Sequence, residues 1–234
     1  MAYSLDFDSF VLAAATDSLE VEPAARDHAD AVEFRLDLAD DPWASLSAYD
    51  GELPLIVTNR PTWEGGEATD EDRRLSLLAD AVAEPTVAAV DLELRALTGD
   101  SDAADTDAAR AVRAAARDAG VSVIASVHDF ETTPSPASLS ALLERAAAEG
   151  DVGKLAVTAT ERADALSVLQ ATHEATAAGR RVATMAMGAA GRHTRAVAPL
   201  YGSRIGYAPV EPNEATAPGQ YSLTALSSLV SQLR

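Results

Sequence analysis

Residues 121–159 read VSVIASVHDFETTPSPASLSALLERAAAEGDVGKLAVTA. An apolar run rich in β-branched residues (121–130) is followed by an Ala/Leu/Glu/Arg-rich stretch with helical spacing (136–149). A second β-branched run (152–159) comes next. Apolar runs of this length bounded by turn residues read as strands and the stretch between them as a helix, so the segment is one β–α–β unit. The alternation continues in both directions. Strand-like runs also stand at 10–16, 31–37, 53–60, 86–94, 181–188 and 203–210, and helical stretches at 18–29, 42–49, 69–84, 104–119, 161–178, 192–200 and 220–233. Eight β–α units in 234 residues have the count and size of a (β/α)8 TIM barrel, an α/β fold whose parallel sheet closes on itself. The rival is a doubly wound open sheet, which carries a glycine-rich phosphate loop after its first strand. Here ATDSLEVEP (15–23) contains no glycine. No composition shift or long linker divides the chain, so residues 1–234 are expected to form a single domain.

The charge narrows the function. The 37 acidic and 18 basic residues give a formal net charge of −19, a field that repels phosphate and argues against a nucleic acid or an anionic membrane as partner. Asp outnumbers Glu 21 to 16, and only one basic residue is lysine, a balance suited to a salt-rich cytoplasm where screening relieves self-repulsion. Zero cysteines exclude disulfides, thiolate metal sites and a cysteine nucleophile. His28, His128, His173 and His193 show no HxH or HExxH spacing, so no metal centre is expected. No run reaches the roughly 18 apolar residues of a membrane span, and MAYSLDFDSF lacks the pattern of a signal peptide, which points to a cytoplasmic protein.

Side chains alternate sides along a strand, so polar residues near the carboxyl ends of the runs can be sorted by parity. Glu33, Arg35 and Asp37 share a face, as do Thr58 with Arg60, Asp91 with Glu93, Ser126 with His128, and Lys154 with Thr158. If these faces point inward, charged groups meet at one mouth of the barrel, where such enzymes carry their chemistry. Glu33, Arg35, Asp91 and Glu93 read equally as a buried ion-pair network. Lys154 is the sole lysine, inside an apolar β-branched run. An amine driven toward its neutral form by burial and by cations such as Arg35 and Arg60 is a Schiff-base nucleophile, a role no guanidinium can fill. The plain alternative is a lysine snorkelling from a strand end. His128 ends the neighbouring strand, and adjacent strands lie about 5 Å apart, so imidazole and amine can reach one substrate. A lysine of this kind implies a carbonyl substrate. Arginines nearby imply a carboxylate on it, with Arg195 the leading clamp and Arg192 the fallback.

The strand-end motifs, taken in order, resemble one family. EFRLD (33–37), TNR and EGG (58–66), VDLEL (90–94), SVHDF and TTP (126–134), GKLAV (153–157), MAMGAAGRHTR (185–195) and TAPGQ (216–220) are similar to those of type I 3-dehydroquinate dehydratases. The resemblance covers nearly the whole chain. It implies a Schiff-base dehydratase of the shikimate pathway, needing no cofactor, acting on 3-dehydroquinate as a homodimer. By position it implies that Lys154 forms the imine with the C3 ketone, that His128 moves the C2 proton to the departing C1 hydroxyl, and that Glu64 orients the imidazole. Glu33, Arg35 and Arg60 match substrate-binding positions and Arg195 the carboxylate clamp, while Thr216 and Gln220 match the lid. Thr216 stands where serine is usual, HTR replaces a small-Ser-Arg sequence, and the short amino terminus leaves the first loop, including Asp17 and Ser18, without an assigned contact. Another lysine-dependent barrel enzyme, such as a class I aldolase, and a non-catalytic barrel that binds a small carboxylate are the competing readings.

Overall fold

The computed structural model describes residues 3–210 and 219–234. Eight parallel strands, β1 (Val11–Thr16), β2 (Ala31–Arg35), β3 (Leu55–Thr58), β4 (Val87–Glu93), β5 (Ser122–Asp129), β6 (Val152–Thr158), β7 (Val182–Met187) and β8 (Ile205–Pro209), pair in sequence order, and β8 also pairs with β1. The seam between β7 and β8 is short: the Arg204 amide donates to the Val182 carbonyl at 2.7 Å beside a single bridge between Val182 and Ser203, so the TIM barrel is nearly closed. All eight expected strands are present, each trimmed by one or two residues at its ends.

Helices α1 (Glu22–Ala25), α2 (Pro42–Ser47), α3 (Glu71–Ala81), α4 (Leu94–Thr98), α5 (Thr106–Ala119), α6 (Pro136–Glu149), α7 (Arg162–Ala177), α8 (Gly188–Gly191), α9 (Thr194–Val197) and α10 (Leu223–Leu233) fill the connections. Their starts are chemically marked. The side chains of Asp70, Asp105, Ser135 and Ser222 each accept from the backbone N–H three residues on, which satisfies one of the amides a helix leaves unpaired. The helix expected over 18–29 is instead a 3-10 turn followed by α1. Of that segment only Leu19, Glu22 and Ala25 are buried, too little apolar surface to hold a longer helix. His28 consequently lies in a turn beyond α1. No helix among the described residues is long and apolar enough to cross a membrane.

Inward parity changes character along the strands. At the amino-terminal ends Val11, Ala13, Ala31, Ile56, Ala89, Ile124, Val152, Ala183 and Ile205 pack with Phe7 into an apolar floor. At the carboxyl ends the same parity supplies Glu33, Thr58, Asp91, Glu93, Ser126 and Lys154, all buried. The opposite parity, including Val32, Phe34, Val57, Leu92 and Val123, packs outward with Leu75 and Leu78 of α3 and Val112 of α5. Burying each such aliphatic side chain contributes about 1.5–3 kcal/mol, so the outer core anchors a barrel whose upper interior is given over to charge.

Candidate active site

The polar layer is built around Asp91. One of its oxygens accepts from Arg60 Nη2 at 2.8 Å and from Ser126 Oγ at 2.6 Å, and the other from Lys154 Nζ at 2.9 Å. Burial opposes ionisation of this carboxyl, but Arg60 first and Lys154 second hold it well below the usual carboxylate range. Arg60 also donates to Glu93 at 2.6 Å and to Ser126 Oγ at 2.8 Å, and Arg74 of α3 donates to the other Glu93 oxygen at 2.8 Å. Two readings from the sequence therefore meet: Asp91 and Glu93 do belong to a buried ion-pair network, and one end of that network carries Lys154.

The environment expected for Lys154 needs correction. Arg35 and Arg60 do not press on the amine, because their guanidinium groups are turned to carboxylates. Arg60 is bound to Asp91 and Glu93, and Arg35 forms a two-bond fork on Asp37, at 2.8 and 2.6 Å. The charged groups nearest Nζ are carboxylates, Asp91 at 2.9 Å and Glu33 at 3.7 Å, while the ring of Tyr207 lies 4.2 Å away, centre to nitrogen. Lys154 is also 4% exposed, which excludes a snorkelling side chain. Glu33 is fixed by the Thr58 hydroxyl at 2.9 Å.

His128 stands on β5, two residues beyond Ser126, the register partner of Lys154. Its backbone N–H donates to Glu64 Oε1 at 3.1 Å, and its Nδ1 meets the same oxygen at 3.0 Å. That contact takes the Nδ1 side of the ring and leaves Nε2 for the cavity. Burial first, then the charges of Arg60 and Lys154, push the imidazole well below its ordinary value, so it is neutral at pH 7 and able to accept a proton. Burial raises the Glu64 carboxyl to about 8 against the pull of Arg60, with Glu93 and Asp91 adding to the rise. Phe130 stacks on the imidazole, ring centres 6.0 Å apart and 12° from parallel. Glycines shape this corner: Gly65 has φ +80°, and a Cβ there would meet the Phe130 ring at 2.2 Å.

A cavity joins these groups. Its lining includes Glu33, Arg35, Arg60, Glu64, His128, Lys154, Arg195 and Gln220, so the structure brings together every site residue expected from the sequence except Thr216, which lies outside the described residues. Arg195, in α9, is 4% exposed, and burial followed by the charge of Arg192 lowers its guanidinium to about 10. Arg192 stacks on Tyr221 instead, 4.0 Å from the ring centre. Asp17 and Ser18 are not among the residues that line this cavity; they line a separate groove with Glu22, Arg26, Asp40 and Tyr49. Among the described residues no three His, Asp or Glu side chains converge as a metal-ligand set. Tyr207, Met185, Met187 and Phe130 also line the cavity and were not singled out from the sequence. Parity along β7 and β8 carried a signal for the first three. Nothing in the sequence pointed to Arg74, which reaches Glu93 from a helix.

Comparison with known proteins places these features in a family. The family profile described as type I 3-dehydroquinase matches residues 11–234. A 3-dehydroquinate dehydratase of Haloarcula marismortui is 61% identical over 98% of this chain and 99% of its own length, and that of Halobacterium salinarum is 53% identical over 98% and 100%. Among solved structures, the 3-dehydroquinate dehydratase of Geobacillus kaustophilus superposes with a TM-score of 0.83 at 27% identity, covering 96% of this chain and 91% of that one.

Proposed function

The chain belongs to the type I 3-dehydroquinase family, and on that premise we propose that Lys154, His128 and Glu64 are the groups with which it works. The enzyme is a hydro-lyase that removes water from 3-dehydroquinate to give 3-dehydroshikimate in the shikimate pathway. Membership sets aside the aldolase and the non-catalytic barrel.

The observation that carries the assignment of residues is the shared cavity of the single lysine and a Glu64-bound histidine. In the scheme it supports, the amine of Lys154, once its proton has left, adds to the C3 ketone, and loss of water gives a protonated imine. His128 Nε2 takes the C2 proton, and the C–H electrons move toward the iminium nitrogen to form an enamine. The enamine returns those electrons to expel the C1 hydroxyl, which leaves as water with the proton held on His128. Hydrolysis of the product imine consumes the water released when the imine formed, so one water is lost overall. Glu64 keeps the imidazole in the tautomer with hydrogen on Nδ1. Asp91 and Glu33 aim the nitrogen, Arg195 receives the substrate carboxylate as a two-bond partner, and Arg35 and Gln220 border the ligand. Arg60 acts on the ligand only through the side it keeps toward the cavity, its other donors being committed to Asp91 and Glu93. Thr216 is assigned to the lid on the motif alone.

Turnover followed in molar KCl tests the assignment. Lys154→Ala should lose activity altogether while keeping wild-type secondary structure, and measurable turnover by that variant would overturn it. The chain further reads as a cytoplasmic homodimer. Support for the dimer comes from exposed apolar side chains, Leu166 on α7 with Leu200 and Tyr201 in the turn after α9, where Tyr201 meets His173 of α7 edge to face.

A further inference from the structure

Tyr207 lies on β8 with its ring in the barrel interior and is 4% exposed, yet its hydroxyl is buried without a hydrogen-bond partner among the described residues. Burying a hydroxyl unpaired costs free energy, and buried tyrosines normally end on an acceptor. A phenylalanine would fill nearly the same volume without that cost. Tyr207 lines the cavity already described, with its ring centre 4.2 Å from the amine of Lys154. What it can meet follows from the order of strands. Around the barrel β5 carries His128, β6 carries Lys154, β7 contributes Met185 and Met187, and β8 carries Tyr207. The amine thus stands between the imidazole on one side and the phenol on the other, and the thioethers between them offer no strong hydrogen bond.

In an imine at Lys154, the carbon that gives its proton to His128 is turned toward β5. The ring carbon on the other side of the imine, C4, is then turned toward β8, and in 3-dehydroquinate C4 carries a hydroxyl. We infer that the Tyr207 hydroxyl is a substrate contact, donating its hydrogen bond to the C4 hydroxyl of the imine-bound ligand and so distinguishing substrates that carry it. The inference rests on the roles proposed above for Lys154 and His128.

Tyr207→Phe and a 4-deoxy analogue of 3-dehydroquinate form a two-by-two test. The readouts are the ligand concentration that half-saturates borohydride labelling of Lys154, kcat/KM for 3-dehydroquinate, and the thermal midpoint in molar KCl. Loss of one neutral hydrogen bond should raise the half-saturating concentration of 3-dehydroquinate, and lower kcat/KM, by about tenfold. The 4-deoxy analogue should label both proteins alike, and the thermal midpoint should stay level or rise, because the free enzyme loses only an unpaired hydroxyl. Equal losses with both ligands, or unchanged behaviour with 3-dehydroquinate, would overturn the contact. Wild-type enzyme that turns over without any label on Lys154 would overturn the roles of Lys154 and His128 instead.

Discussion

Asp91 is where the account is most exposed, because one carboxylate serves two cations. Asp91→Asn keeps the volume and one acceptor but removes the charge that lies 2.8 Å from Arg60 and 2.9 Å from Lys154, in a site from which Asp91 is fully excluded from solvent. Removing one partner of a buried ion pair leaves an uncompensated charge and costs about 3–5 kcal/mol. Glu93 still neutralises Arg60 and Glu33 still faces Lys154 at 3.7 Å, which favours the lower end of that range. The pH dependence has a definite sign. The folded carboxyl is depressed, so its contribution is fully present above the ordinary value near 3.8 and is lost only as the pH falls toward the folded value. At pH 7 the variant therefore shows the whole deficit. Urea unfolding in molar KCl reads it: with a slope of about 2 kcal/mol per molar urea, the midpoint should fall by roughly 1.5–2.5 M. A shift under about 0.5 M, equivalent to about 1 kcal/mol on that slope, would refute the reasoning that the network is held by this residue.

Two further outcomes follow from the Glu64 corner. The folded Glu64 carboxyl is raised from 4.5 to about 8, so the wild type should lose stability as the pH rises between those values, and Glu64→Gln should flatten the profile of thermal midpoint against pH there while lowering kcat by about one to two orders of magnitude, the scale on which losing an orienting partner costs activity. An unchanged profile would contradict the burial of that group. Gly65→Ala forces a Cβ into a left-handed backbone and against Phe130, and should cost about 1–3 kcal/mol together with a fall in kcat, read by unfolding and by steady-state turnover.

How much of this was legible in the sequence depends on the kind of contact. The strands were, because runs such as 121–130 and 152–159 concentrate β-branched residues between turns, and a period of two then sorted Glu33, Asp91, Ser126, His128 and Lys154 onto one face. Long helices with an apolar face, α5, α6 and α7, were legible for the same reason. The short pieces α4 and α8 were not, being held by tertiary packing and lacking a periodic stripe of their own. Nor did parity say which carboxylate a guanidinium would take. Arg35 and Arg60 share the inward face with Lys154, but long side chains turn to the strongest acceptor within reach. Those acceptors were Asp37 for one and Asp91 with Glu93 for the other, and the amine was left among anions. β2 likewise stops at Arg35 where the run extended to Asp37, and Asp37, in the following turn, bonds back to that arginine and to the Glu67 amide.

The most direct measurement is peptide mass spectrometry after borohydride reduction of the enzyme in the presence of 3-dehydroquinate. A reduced adduct on the peptide that contains Lys154, and on no other, is the predicted result. Full turnover with that peptide unmodified would contradict the account.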